Sequence, residues 1–199
     1  NRKRGVASVA ALYVLMDGAT GHPRALIDGE ALTLRRTGAA SALASGYLSR
    51  RDARRLLVVG TGALAPTMAE AHCAVRPIER VDVWGRSPQR AGVTAARLVA
   101  RGLPARVVTD LEGALAAADI VTCATTATEP IVRGAQLRPG THIDLVGAFT
   151  PRMRESDDDA VRRARVFVDT FAGALAEAGD LVTPLAAGTI ARGHVLADR

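Results

Sequence analysis

Apolar positions along this chain follow two different patterns, and the change between them divides it. Residues 5–16 (GVASVAALYVLM) form a strand-like apolar run, and Asp17-Gly18-Ala19-Thr20-Gly21 is a turn signal. A second short strand is predicted over residues 23–28, so the two read as a β-hairpin. Gly29 and Glu30 then open a helix whose apolar positions recur at Ala31, Leu34, Ala39, Ala42, Leu43 and Leu48. Residues 49–55 are a charged connector.

From Leu56 the texture changes. Leu56-Leu57-Val58-Val59 is a buried-strand run ending in glycines, and helical spacing follows through Met68, Ala71 and Val75. Further strands are predicted at residues 80–84, 105–108, 120–124, 141–146 and 165–169, with helices at 89–101 and 111–118. Strands alternating with helices of ~10–15 residues imply right-handed βαβ units and a doubly wound parallel sheet. The fold class is α/β.

Composition narrows the picture. With 199 residues the chain supports one good core, and 48% hydrophobic content excludes general disorder. Only 3% of residues are aromatic, so Ala, Val and Leu must fill the core, which suits helices packed closely on a parallel sheet. The net charge of +6 raises the question of nucleic acid, but the arginines are scattered among acids and Lys3 is the only lysine. There is no basic tail and no nucleic-acid-binding motif, so no such partner is expected. Cys73 and Cys123 fit neither a zinc pattern nor a disulfide framework, and no metal site is expected. No apolar run reaches the ~18–20 residues of a membrane span, and no signal peptide is read before the first strand. The expectation is a soluble, cytoplasmic protein without a membrane partner.

The chemistry begins at Gly60-x-Gly62-x-x-Ala65, which follows a strand and opens a helix, as a dinucleotide fingerprint must. Gly60 allows the tight turn, Gly62 lets the backbone approach a pyrophosphate, and Ala65 keeps the helix close to the strand. The helix N-terminus, through Ala63 and Leu64, offers free N–H groups to the phosphates. The competing reading is a glycine turn that binds nothing.

The tip of the next strand selects the cofactor. An NAD site places a carboxylate about 20 residues past the glycines, to hold the ribose 2′-OH. Here the tip is Gly85-Arg86-Ser87, with Arg90 one turn on, while Asp82 lies inside the strand and too early. A guanidinium and a hydroxyl suit a 2′-phosphate, so NADP(H) is favoured, with NAD(H) as the second choice. The alternative is that Arg86 is only a solvated loop residue.

These residues, taken in order, resemble the ornithine cyclodeaminase/mu-crystallin family. The resemblance rests on Arg36-Thr37-Gly38-Ala39-Ala40-Ser41, the Gly60 loop, residues 125–139 (TTATEPIVRGAQLRP), Gly140-Thr141-His142-Ile143-Asp144-Leu145-Val146-Gly147, and Glu177-Ala178-Gly179-Asp180-Leu181. It covers essentially the whole chain. It implies a bilobal homodimer in which a Rossmann lobe is flanked by a second, α+β substrate and dimerisation lobe built from both chain ends. On that division residues 1–50 belong to the second lobe, 51–185 to the NAD(P)-binding lobe, and 186–199 begin the return.

The resemblance also implies roles. Arg36 corresponds to the arginine that binds the substrate carboxylate beside the nicotinamide, a task that suits a planar fork of donors. The bland alternative is a surface arginine at a helix start. Arg36, Thr37, Gly60, Gly62, Ala63, Leu64, Ala65, Gly85, Arg86, Ser87, Ala124, Thr125, Thr126, Val146 and Gly147 are the expected cofactor-contacting set.

Two departures sort the activity. Ornithine cyclodeaminases carry an aspartate just after the strand ending at Gly147, and here Phe149 takes its place. The GAFTP-x-MRE-x-DD form (147–158) instead resembles the cyclic ketimine reductases of the family, which reduce Δ1-pyrroline-2-carboxylate or Δ1-piperideine-2-carboxylate to proline or pipecolate. The family's catalytic lysine falls upstream of this chain's first residue, and Lys3 is too close to Arg36 to be that residue. The expectation is therefore part of a longer protein, or a truncated and inactive form. The alternatives carried forward are ornithine cyclodeaminase with bound NAD+, and a non-catalytic NADP-binding protein of the mu-crystallin kind.

Other candidates have plain readings. Cys123 reads as a packed small residue at a strand end, His142 as structural, and His72 as packed or solvent-facing. Asp157-Asp158-Asp159 lacks glycine-punctuated calcium-loop spacing and reads as the N-terminal charge of a helix.

Overall fold

The computed structural model describes residues 10–197. β1 (Leu12–Met16) and β2 (Pro23–Asp28) form the antiparallel hairpin, with Leu12 opposite Asp28. Residues 5–9 of the predicted first strand lie outside the described residues. Ala10 and Ala11 are not strand: β2 ends opposite Leu12, and past it the Ala11 carbonyl accepts from Gly29 N (2.9 Å), where the partner chain has already turned into a helix. The turn is built on Asp17, whose Oδ1 accepts from the N–H groups of Ala19 (3.0 Å) and Thr20 (2.8 Å).

Asp28 caps α1 (Gly29–Leu48) by accepting from the N–H groups of Glu30 (2.8 Å) and Ala31 (3.1 Å). The helix is where expected, but its buried face is not. Gly29, Gly38, Ser41 and Ser45 are buried, whereas Ala31, Ala39, Leu43 and Leu48 are exposed. α1 lies against α2 (Leu64–Val75), and close approach selects small residues: a Cβ at Gly38 would stand 2.8 Å from Thr67 Cγ2. At the far end the Arg76 guanidinium donates to the carbonyls of Ser45, Gly46 and Ser49 and ties down the end of α1.

The centre is a parallel five-stranded sheet. β3 (Arg55–Val59) pairs with β4 (Arg80–Trp84) on one side and β6 (Ile120–Cys123) on the other, with β5 (Ala105–Val107) and β7 (His142–Leu145) outermost. Side chains alternate between its faces. Leu56, Val58, Val81, Val83 and Ile120 pack with Ala65 and Ala69 of α2 and with Ala91, Ala95 and Leu98 of α3 (Pro88–Val99). Leu57, Val59, Val121 and Cys123 pack on the other face with Leu115 of α4 (Leu111–Ala117) and with Val132. The two-sided cover is what a doubly wound sheet requires.

The strand expected at residues 165–169 is shorter and lies elsewhere. β8 (Val166–Phe167) does not join the central sheet; it pairs in parallel with β9 (Val195–Ala197). Three short helices, α5 (Asp158–Arg163), α6 (Phe171–Glu177) and α7 (Gly179–Ala186), surround it, and Val161, Ala174, Leu181, Ile190 and Val195 form a small separate core. β8 had the apolar content of a sheet strand, but its packing partners lie in this satellite unit.

Candidate active site

β3 has neighbours on both sides that follow it in sequence, so the chain leaves the sheet in opposite directions there and opens a crevice at the carboxyl ends. Gly60 sits at that point with φ +126°, and its N–H donates to the Trp84 carbonyl (2.9 Å). A Cβ at Gly60 would stand 2.7 Å from the carbonyl oxygen of Ala124, so only glycine fits between the two loops. Gly62 differs: nothing lies within 4 Å of its built Cβ, and it and Ala63 are exposed. No side chain caps α2 at Ala63, and no acid lies in its first turn. Ala65 N donates to the Gly62 carbonyl (3.2 Å) and Pro66 has no N–H, so the amides of Gly62, Ala63 and Leu64 are the ones left at the positive end of the helix, a fit to a pyrophosphate. Ala65 is buried against the sheet.

At the next strand tip Gly85 abuts Thr61, where a Cβ would come within 2.6 Å of Thr61 Cγ2. Arg86 is exposed and makes no hydrogen bond or ion pair with another described residue. It lines a cleft of about 270 Å³ together with Ala127, Thr128, Glu129, Pro130 and Ile131. The Ser87 hydroxyl is already engaged. It caps α3 by accepting from Arg90 N (3.3 Å) and donates to Gln89 Oε1 (3.0 Å). Asp82 stays within β4, paired to Arg80 and Arg106, and faces away from this tip.

Beyond β6 and β7 the chain forms two loops that touch. Ala124 N donates to the Val59 carbonyl (3.1 Å) and Val146 N to the Cys123 carbonyl (3.0 Å), which fixes the ends of both strands. Thr125 and Gly147 meet at a carboxylate. Glu155, wholly buried, accepts at Oε1 from Thr125 N and Thr125 Oγ1 (both 2.7 Å) and at Oε2 from Gly147 N (2.6 Å). Thr126 is exposed beside it. Beneath lies Asp180, accepting from the N–H groups of Glu155 (3.0 Å) and Ser156 (2.8 Å) and from Ser156 Oγ (3.0 Å). Burial raises both carboxyls above their ordinary values, against the donors that pull them down.

Arg36 and Thr37 lie on α1, in its second turn rather than at its start. Arg36 is exposed and free of hydrogen bonds and ion pairs to other described residues. Gly38, two residues on, rests on Thr67 in the first turns of α2, which brings this part of α1 to the carboxyl edge of the sheet. One turn later Ser41 Oγ donates to Asp144 Oδ1 (3.1 Å), and Asp144 Oδ2 takes Thr122 Oγ1 (2.8 Å) and His72 Nε2 (3.1 Å). Burial presses the Asp144 carboxyl upward, but the His72 and Thr122 contacts outweigh it and hold the group below the usual range.

The geometry is that of a dinucleotide fold with a seated arginine-bearing helix, and comparison with known proteins agrees. The family model for ornithine cyclodeaminase/mu-crystallin proteins matches residues 1–196. The chain belongs to that family. The Δ1-pyrroline-2-carboxylate reductase of Paracoccus denitrificans (strain Pd 1222) is 41% identical over 199 residues, covering 100% of this chain and 63% of the relative. The Thermococcus litoralis Δ1-pyrroline-2-carboxylate reductase, solved with NADH and L-proline, superposes with a TM-score of 0.95 at 39% identity, over 99% of this chain and 61% of that one. An archaeal alanine dehydrogenase dimer with bound NAD superposes with a TM-score of 0.91 at 29% identity, again over 99% and 61%. This chain thus spans about three-fifths of the length of these relatives.

For a member of the ornithine cyclodeaminase/mu-crystallin family, the residues outside the glycine loop are the informative ones. Phe149 is 64% exposed in the loop after β7 and offers no proton-transfer group. Cys123 is buried, and burial pushes its thiol far up, so it is packing rather than a nucleophile. His72 is fully buried against Asp144, and His142 lies beside it at 6.3 Å between ring centroids. Asp157 caps α5 by accepting from Ala160 N (2.9 Å), while Asp158 and Asp159 pair with Arg154 and with Arg162 and Arg163. Sequence reasoning missed Glu155, Asp180 and Asp144 as site-building residues. Each sits inside a motif already singled out, and an acid within a buried run was the available signal.

Proposed function

We propose that the protein is an NAD(P)H-dependent reductase of a cyclic imino acid, turning Δ1-pyrroline-2-carboxylate or Δ1-piperideine-2-carboxylate into proline or pipecolate. What carries the reading is the likeness along the whole chain to a reductase solved with NADH and L-proline, joined to an Arg36 at the carboxyl edge of the sheet that pairs with no other described residue. NAD(P)H, when bound, supplies the hydride for the C=N carbon. The chain's residues do the rest by holding and orienting. Gly60, Gly62, Ala63, Leu64 and Ala65 would seat the pyrophosphate. Gly85, Arg86 and Ser87 would meet the adenosine ribose, and Ala124, Thr125, Thr126, Val146 and Gly147 the nicotinamide half. Arg36, with Thr37 beside it, would clamp the substrate carboxylate through two parallel N–H donors and so fix the imine carbon against the cofactor.

Both solved relatives above carry NAD(H), yet Arg86 here pairs with no other described residue and suits a 2′-phosphate. We therefore place NADPH ahead of NADH, by about 1–3 kcal/mol for a charge-assisted contact. Residues 51–185 would form the cofactor lobe and residues 1–50 part of a substrate and dimerisation lobe, with residues 186–199, which pack first on β8 and α7, beginning the return to it. The exposed apolar hairpin supports a homodimer formed there, in line with the dimeric archaeal relative. Two free cysteines fit a reducing compartment, and we place the enzyme in the cytoplasm. Among the described residues no helix is long and apolar enough to cross a membrane.

The test is turnover of Δ1-pyrroline-2-carboxylate by the full-length protein with NADPH and with NADH. Arg36→Ala should lower kcat/KM by roughly one to two orders of magnitude, the loss of one charge-assisted carboxylate contact. Arg86→Ala should erase the preference for NADPH. Ornithine turnover without net NADH formation, and none of the imine, would overturn the reading.

A further inference from the structure

The pyrophosphate position at α2 divides the cofactor crevice. Arg86 and the β4 tip lie on one side, where the adenosine goes; the loops after β6 and β7 lie on the other, where the nicotinamide half goes. Those two loops belong to different strands, and their spacing is set by a third segment. Residues 154–157 run beneath the loop after β6: Arg154 N donates to the Ala127 carbonyl (2.9 Å), and Ile131 N and Val132 N donate to the Glu155 carbonyl (2.9 and 2.8 Å). From this anchored strip the Glu155 side chain rises between Thr125 and Gly147 and bonds both. Gly147 admits it only because it is glycine, since a Cβ there would overlap Thr125 and Glu155 Oε1.

We infer that Glu155 is a positioning residue for the reaction: its carboxylate clamps the Thr125 and Gly147 backbones at the separation that seats the nicotinamide half of the cofactor. This rests on the dinucleotide-dependent reading above. The donor arithmetic makes the carboxylate irreplaceable by its amide. Both Glu155 oxygens accept, and all three partners donate. A glutamine offers one oxygen and one NH2 group, so whichever way it turns, one loop meets a donor with a donor and loses its anchor. Asp180 fixes the strip from below, so the clamp cannot simply slide to compensate.

The experiment is to titrate the full-length protein and its Glu155→Gln variant with NADH and with ADP-ribose, which has the adenosine and pyrophosphate but no nicotinamide. The expected result is a split. Kd for NADH rises about tenfold or more, while Kd for ADP-ribose stays within about twofold, because the loss falls on one half of the crevice. With the imine, kcat falls by up to roughly a hundredfold through misplacement of the reacting carbon. Equal weakening for both ligands would mean that Glu155 only supports the fold, and no weakening would mean that it does not clamp; either overturns the inference. If Glu155→Gln does not fold, Thr125→Val removes one donor without stranding a charge, and the same split should appear at about threefold; its absence overturns the inference equally. A variant that shows the split beside a parent that reduces no imine refutes the activity and leaves the clamp. A parent that binds no dinucleotide refutes both.

Discussion

In the central sheet, Leu56 and Val58 lie on one face and Leu57 and Val59 on the other, and all four are buried. In the hairpin, Leu12, Tyr13, Val14, Leu15 and Met16 alternate in the same way, and all five are exposed. The local pattern is alike in the two regions; the cover is not. α2, α3 and α4 close over the sheet, whereas among the described residues the hairpin's main packing neighbour is α1. An apolar strand run therefore specifies a strand that needs burial, and only the surrounding chain determines whether it obtains it.

The same contrast explains α1. Its apolar stripe through Ala39, Leu43 and Leu48 points away from α2, and its inner face consists of Gly38, Ser41 and Ser45. Small residues let the helix axes approach, and hydroxyls then reach Asp144 and the capping Ser49. The helix period is preserved, but the sheet-facing side is chosen by size and hydrogen bonding rather than by hydrophobicity.

The largest effect that would break this comparison is in the sheet. Leu57→Ala should cost about 2–5 kcal/mol, as for a fully buried leucine leaving a cavity. Thermal denaturation should then fall by roughly 5–20 °C for a chain of this size. A shift of a degree or two would mean that the sheet is no better packed than the hairpin, and the distinction between the regions would fail.

A smaller effect tests the seam between α1 and the sheet. His142 is mostly buried, and its Nε2 has no hydrogen-bond partner among the described residues and no solvent exposure. Burial, chiefly, lowers its pKa to about 4 from 6.5, with Asp144 opposing and His72 and Arg76 assisting. The unfolded chain thus binds a proton that the folded chain refuses between those values. Stability from this group is complete above pH 6.5 and is lost as pH falls toward 4, by up to about 3 kcal/mol. Asp144, with its pKa below 3.8, extends the loss to lower pH. Glu155 and Asp180, whose carboxyls burial raises, slope the other way, so the test is a difference: in urea unfolding at pH 7, 5.5 and 4, His142→Phe should lose less stability toward pH 4 than the parent. An unchanged slope in that variant would remove His142 from the seam.

Much of this was legible in advance, and the boundary is physical. The hairpin turn, the glycine loop and the succession of strands read at 56–59, 80–84 and 120–124 follow from periodicity and from glycines that nothing else can replace, such as Gly60. The Glu155 clamp was not legible, because its partners Thr125 and Gly147 are linked through a segment that forms no regular element there. β8 misled for a related reason: its apolar residues are real, but their partner is Val195, far along the chain. Local pattern carries local structure, and non-local hydrogen bonds built the rest of the site.

The smallest effect on folding, and the sharpest on assembly, belongs to the hairpin. Leu26, opposite Val14, is 68% exposed, so Leu26→Thr keeps a strand-forming residue while removing apolar surface. At concentrations where the protein is monomeric, its stability should change by less than about 0.5 kcal/mol, as for a surface substitution. In a homodimer that buries this face, the same change should cost about 1.5–3 kcal/mol per copy, the transfer value of a leucine side chain. Sedimentation of the full-length protein at micromolar concentration should therefore show a dimer for the parent and dissociation for the variant. A monomeric parent would end the dimer assignment. A loss of Tm comparable to that of Leu57→Ala in the monomer would mean that Leu26 is covered by its own chain, and the hairpin would then belong with the sheet.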